Sequence, residues 1–178
     1  MTMLTRNWGW ILATLVVAGI VHVASVMATP HIIMHVTMRG IGRGGVNTMM
    51  FGKRPTSDSR GVVRPSPDLL YASCVYDLDA AGGLVRVHAQ DMPDTYWSVS
   101  LFDADTNNFY VLNDRQAKNG TVDFVIAGEH ADRVPPGAVV RAPTRKGLIL
   151  FRVLIDDENH FAAIDKARRH AGCEAYRG

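Results

Sequence analysis

From Asn7 to Met38 the chain carries no Asp, Glu, Lys or Arg. Within this run, "WGWILATLVVAGIVHVASVMA" spans Trp8 to Ala28. At about 1.5 Å per residue, a helix of that length crosses a hydrocarbon core of about 30 Å. Trp8 and Trp10 stand at its start, where indole rings favour the membrane interface. Pro30 disfavours a straight helical continuation. The expectation is a transmembrane anchor over residues 1–30 that meets the lipid bilayer through residues 8–28. The rival is a cleaved signal peptide, because Val26-Met27-Ala28 offers a processing site before Thr29. The apolar run exceeds the usual length of a signal h-region, which favours retention. His22 lies mid-span, where a polar group is costly and faces protein or water. It bonds either a partner helix or its own.

Charge does not give the orientation. Arg6 and the amino group precede the run, whereas Arg39, Arg43, Lys53 and Arg54 follow it. The positive-inside rule therefore leans against an N-terminus in the cytoplasm. The expectation of an exported domain rests on two other points. A lone N-terminal span followed by a folded domain usually exports that domain, and the chain's two cysteines suit an oxidising compartment. The location expected is the bacterial inner membrane, single-pass, with the C-terminal domain in the periplasm.

Composition over the whole chain is ordinary, at 47% hydrophobic and 20% charged. A net charge of +2 is too small to argue for nucleic acid. No cofactor motif and no metal-ligand spacing stands out. Residues 31–65 read as a connector, apolar at first and then basic and rich in Gly, Pro and Ser. Its start can lie on a membrane surface or pack as a short helix on the domain. Residues 66–178 read as the globular part. Ser66-Pro67-Asp68 has the form of a helix N-cap followed by Pro. Thereafter strands are expected at 84–89, 95–102, 108–113, 121–127, 138–142 and 148–155, from alternating or β-branched runs between turn signals. A helix from about Glu158, with Phe161, Ile164 and Ala167 or Arg168 on one face, ends the pattern. The fold class is mainly β (α+β), an antiparallel β-sandwich or jelly-roll-like domain with an N-terminal transmembrane helix and a C-terminal helix.

Cys74 and Cys173 belong to no CxxC or Cys/His spacing. A nucleophilic Cys74 served by His88, His130, His160 or His170 is one reading. In an exported domain a disulfide between the two is the better one, with an intermolecular bridge as its variant.

"SPDLLYASCVYDLDAAGGLVRVHA" and "DTYWSVSLFDADTNNFYVLNDR" together resemble the domain-of-unknown-function 1254 family, as does "IVHV" ahead of a proline. The likeness is to its short bacterial members with one N-terminal span. It implies a β-rich domain and a membrane or envelope location, and leaves the activity unstated. It also implies one cysteine at the "CVYDL" position and another near the C-terminus.

Two candidate sites remain. Read from Asp103, "DADTNNFYVLND" places Asp103, Asp105, Asn107 and Asp114 at positions 1, 3, 5 and 12 of an EF-hand loop. Asn108 replaces the required Gly, Asp114 replaces the bidentate Glu, and both flanks are strand-like. A hairpin turn is the expectation, and no metal. The second is Trp97 with Asn113, Asp114 and Arg115, which can line a pocket for a sugar-like or small polar ligand. A plain Asp–Arg pair fixing a loop is the alternative. The role expected is binding or assembly with another envelope or membrane protein. An envelope enzyme or glycan-binding protein, and an accessory subunit of a membrane complex, are the alternatives.

Overall fold

The computed structural model describes residues 7–60, 64–129, 131 and 133–177. Helix α1 covers Trp8–Ile41 and takes Pro30 in its interior. It is long and apolar enough to cross a membrane. Its first part, through Thr29, is exposed. Its last turns are not: Met34 packs with Val75 and Leu148, and Met38, Ile41 and Phe102 close around them. This corrects the expectation that the helix stops at Pro30. An internal proline costs about 3 kcal/mol. Burying three large apolar side chains returns roughly 1.5–3 kcal/mol each.

The exit from α1 is tightly fixed. A 3-10 turn at Gly42–Gly44 leads to Gly45, whose φ of 120° suits a residue without Cβ. Asn47 then locks onto the sandwich. Its amide donates to the carbonyl of Asp77 (2.9 Å), and its Oδ1 accepts from the Asp77 N–H (2.8 Å).

Among the described residues nine strands form two sheets. Sheet A runs β1-β2-β8-β4-β5 and sheet B runs β7-β6-β3-β9. The ranges are β1 Met50–Phe51, β2 Leu69–Asp77, β3 Leu84–Ala89, β4 Trp97–Asp103 and β5 Asn108–Asn113. They continue with β6 Val122–Gly128, β7 Val139–Ala142, β8 Lys146–Leu154 and β9 Gly172–Ala175. The inner faces alternate as the sequence implies. Val85, Val87 and Ala89 of β3 meet Trp97, Val99 and Leu101 of β4 and Ile149, Phe151 and Val153 of β8 in one core. The chain is mainly β, a sandwich-like pair of sheets with a long N-terminal helix and a short C-terminal one.

Three local expectations need correction. Ser66-Pro67-Asp68 makes a single turn and not a helix: Ser66 Oγ accepts from the Asp68 N–H at 3.3 Å, and β2 begins at Leu69. The period-2 signal was present in "LLYASCVYD", with Leu70, Ala72, Cys74 and Tyr76 buried on one face. β6 and β7 pair in parallel, against the antiparallel expectation. Arg141 of β7 donates to the carbonyls of Gly128 (2.9 Å) and Ala131 (3.0 Å), which ties the end of β6 to β7. The C-terminus does not end as a helix. After α2, Phe161–Arg168, it returns as β9 and pairs with β3.

The 3-10 turn that leads into α2, Glu158–His160, is capped by the Asp157 side chain, which accepts from the Asn159 N–H. The inward residues of α2 are Ile164 and Arg168. Arg168 is only 2% exposed, and its guanidinium donates to the carbonyls of Gly52 and Tyr71 and to Asp165. Burial alone would raise the Asp165 carboxyl. Hydrogen bonds from Arg169 and Arg168 outweigh it and hold the group below the ordinary carboxylate range. That charge contributes stability fully above the unfolded value of about 3.9, which is lost as pH falls through the lower folded value.

Cys74 of β2 and Cys173 of β9 are bonded, with Cα atoms 6.4 Å apart. The bond crosses the core from sheet A to sheet B and removes Cys74 as a nucleophile. His130 lies outside the described residues. Closing a loop with a separation of 99 residues is worth about 4–5 kcal/mol in the chain-entropy model. Thiol labelling of denatured, unreduced protein should therefore find no free cysteine, and the double variant C74A/C173A should lose a comparable stability in urea unfolding. Two labelled cysteines per chain would refute the bond, and a covalent dimer would place it between chains.

Candidate functional site

The open end of the β4–β5 hairpin holds the residues of the second candidate site. Ser98 pairs with Asn113, and the Asp114 N–H donates to the Trp97 carbonyl at 3.1 Å. This register brings Trp97, Asp114 and Arg115 to one cleft of about 490 Å³, together with Tyr96, Asp94 and Asn119. Asn113 does not join them. Its Oδ1 accepts from the N–H groups of Arg115 (3.1 Å) and Gln116 (3.2 Å), so it shapes the turn. Trp97 is 1% exposed, and its ring belongs mainly to the core. Asp114 Oδ1 is buried without a hydrogen-bond partner, and Arg115 is exposed. Among the described residues no ion pair joins the two, so a mutual Asp–Arg clasp is not what fixes this loop. Asp94 was missed because it sits in a loop with no pattern to mark it.

At the other end of the same hairpin, Asp103 organises a turn. It is 3% exposed. Its Oδ1 accepts from the N–H groups of Asp105 (2.9 Å) and Asn107 (2.8 Å), and its Oδ2 accepts from the Asn107 amide (2.9 Å). Asp and Asn close such turns with their own side chains. Asp114 cannot complete an EF-hand set here. The six residues of β5 separate it from the turn by about 20 Å at strand rise. Asp105 instead points to the helix, with its Oδ1 2.8 Å from His31 Nδ1.

A second concavity was not foreseen. α1 crosses the outer face of sheet A near the strand ends: His31 reaches the β4–β5 turn, and Met34 rests on Leu148 of β8 and Val75 of β2. Between α1, this face and the loop after β1 lies a groove of about 690 Å³. Its walls are largely apolar, with Ile33 and Ile41 from the helix and Phe102, Leu148 and Leu150 from the sheet. Lys53, Arg64 and Arg152 are its charged lining, and among the described residues no carboxylate lines it. Arg152 is held at the floor, where its Nη2 donates to Ser100 Oγ at 3.3 Å. Its Nε and the hydroxyl of Ser98, directly across on β4, are buried without partners. The sequence did carry a signal. In "LILFRVLI" the outward positions read Leu148, Leu150 and then Arg152, a cation on a face otherwise too apolar for solvent.

His22 sits on the exposed part of α1, nine residues before His31.

The sequence matches the model of a protein family of unknown function, DUF1254, over residues 46–175. No curated protein matches it. In fold the chain is similar to the VPA0106 protein from Vibrio parahaemolyticus, with a TM-score of 0.58 and 15% identity over 84% of this chain and 37% of that one. It is also similar to an uncharacterized protein from Burkholderia cenocepacia, with a TM-score of 0.51 and 20% identity over 74% of this chain and 35% of the other. The chain thus spans little more than a third of either protein. At these identities the likeness is one of fold. The match over residues 46–175 takes in every described strand, β1 through β9, and by it this chain belongs to the DUF1254 family.

Proposed function

We propose that the chain is a single-pass protein of the bacterial inner membrane whose sandwich faces the periplasm and works by binding. One observation carries this reading. The apolar helix that suits a membrane also forms one wall of an open apolar groove on the sandwich. A groove of about 690 Å³ falls within the range of about 300–1,000 Å³ typical of ligand sites. The inter-sheet disulfide supports an oxidising compartment.

A fusion of alkaline phosphatase after residue 178 tests the topology. In a Gram-negative host it should be active and should sediment with membranes. An inactive fusion, with an active cytoplasmic reporter in its place, would reverse the orientation.

The cleft beside Trp97 supports a second reading, a site for a small polar ligand, because Asp114 Oδ1 is buried there without a partner. Such a ligand would donate to Asp114 and meet Arg115. Calorimetric titration with mono- and disaccharides should then give a saturable isotherm that Asp114→Asn weakens about tenfold or more. Binding unaltered in Asp114→Asn, or no binding to any sugar tried, removes this reading.

A further inference from the structure

The geometry points to an anionic phospholipid as the occupant of the groove between α1 and sheet A, with its phosphate on Arg152. This rests on the reading of a membrane-anchored binding domain and names the ligand. The groove has two chemistries in the places such a lipid needs them. Ile33, Phe102, Leu148 and Leu150 offer an apolar wall and floor to an acyl chain. Arg152, on the same face, has a buried Nε with nothing to bond, and Ser98 beside it has a buried hydroxyl in the same state.

Buried donors without acceptors are costly, and a guanidinium more so than a hydroxyl. A phosphate in the groove pairs the charge of the lining Arg152, since guanidinium suits phosphate in its geometry. Lys53 and Arg64 on the lining add positive charge, with no carboxylate among the described lining residues to cancel it. That balance selects a lipid with net negative charge over a zwitterionic one.

Position supplies the source. Ile33 lies five residues beyond Ala28, the end of the apolar run, which is about 8 Å along a helix. The headgroup layer is roughly that thick, since about 40–45 Å of bilayer encloses about 30 Å of hydrocarbon. The helix wall of the groove therefore begins where headgroups end. As α1 rises it meets the β4–β5 turn first, through His31, and then β8 and β2, through Met34. The β5 edge of sheet A is thus nearest the span. Val111 on that edge is exposed and apolar.

The test uses the full chain purified in detergent micelles, with phosphatidylglycerol, phosphatidylcholine or palmitate added, and native mass spectrometry as the readout. The wild-type chain should retain one phosphatidylglycerol in preference to phosphatidylcholine. Arg152→Gln should lower that occupancy about 10- to 100-fold, from the loss of a charged hydrogen bond. Thr37→Trp, which fills the groove from the helix side and leaves Arg152 in place, should lower it as well. Thermal melts and an intact disulfide establish that each variant is folded. Equal retention of the two phospholipids overturns the proposal, as does undiminished binding in folded Arg152→Gln. Palmitate retained without phosphatidylglycerol also overturns it. The lipid comparison on the wild-type chain decides the matter even if a variant does not fold. An active alkaline phosphatase fusion combined with no lipid preference would remove the ligand and leave the membrane-side reading intact.

Discussion

Strand β8 is apolar on both faces. Ile149, Phe151 and Val153 point into the sandwich core, and Leu148 and Leu150 point away from it. A strand of that kind needs cover on two sides, as central strands of α/β sheets do. Sheet B supplies the inner cover. The outer cover comes from the last turns of α1, where Met34 closes over Leu148 and Val75. This contact explains why the helix persists through Pro30, because the packing beyond it offsets the proline's cost. It also explains the clamp at Asn47, which holds the chain close to β2 as it leaves the helix. The cover is incomplete, and the uncovered remainder is the groove.

The C-terminal segment closes the structure by other means. α2 contributes little apolar surface of its own, and Ile164 is its only buried hydrocarbon side chain. Arg168 compensates through directed bonds to the β1–β2 corner and to Asp165, a geometry that leaves its charge paired. β9 then adds a fourth strand to sheet B and delivers Cys173 to Cys74 across the core. The two sheets are joined covalently as well as by burial.

Local periodicity made most of this legible. The alternation in "LVRVHA" and "TYWSVSLF" marked the core faces of β3 and β4, and turn chemistry marked the hairpin at Asp103. The cysteine pairing followed from compartment and count. What the sequence concealed was non-local. β9 is four residues long and has no pattern apart from its partner β3. The parallel pairing of β6 and β7 depends on the path of the loop between them. The strand in "LLYASCVYD" was masked by a capping signal ahead of it. At the hairpin end, Trp97, Asp114 and Arg115 share a cleft, whereas Asn113 serves the turn. Beyond the cation in "LILFRVLI", the groove was hidden because its walls come from segments more than a hundred residues apart, Ile33 to Leu150, and only folding brings them together.

The docking of α1 onto sheet A is the claim on which the groove, its ligand and its closeness to the membrane all depend. Hydrogen–deuterium exchange on the full chain in detergent micelles measures it directly. Residues 34–41 lie beyond the apolar run, so a micelle alone does not shield them. If they are packed on Val75 and Leu148, their amides will exchange on the timescale of β2 and β8. Exchange there as fast as in the loop of residues 52–60 would mean that the helix end is free, and the outer face of sheet A uncovered.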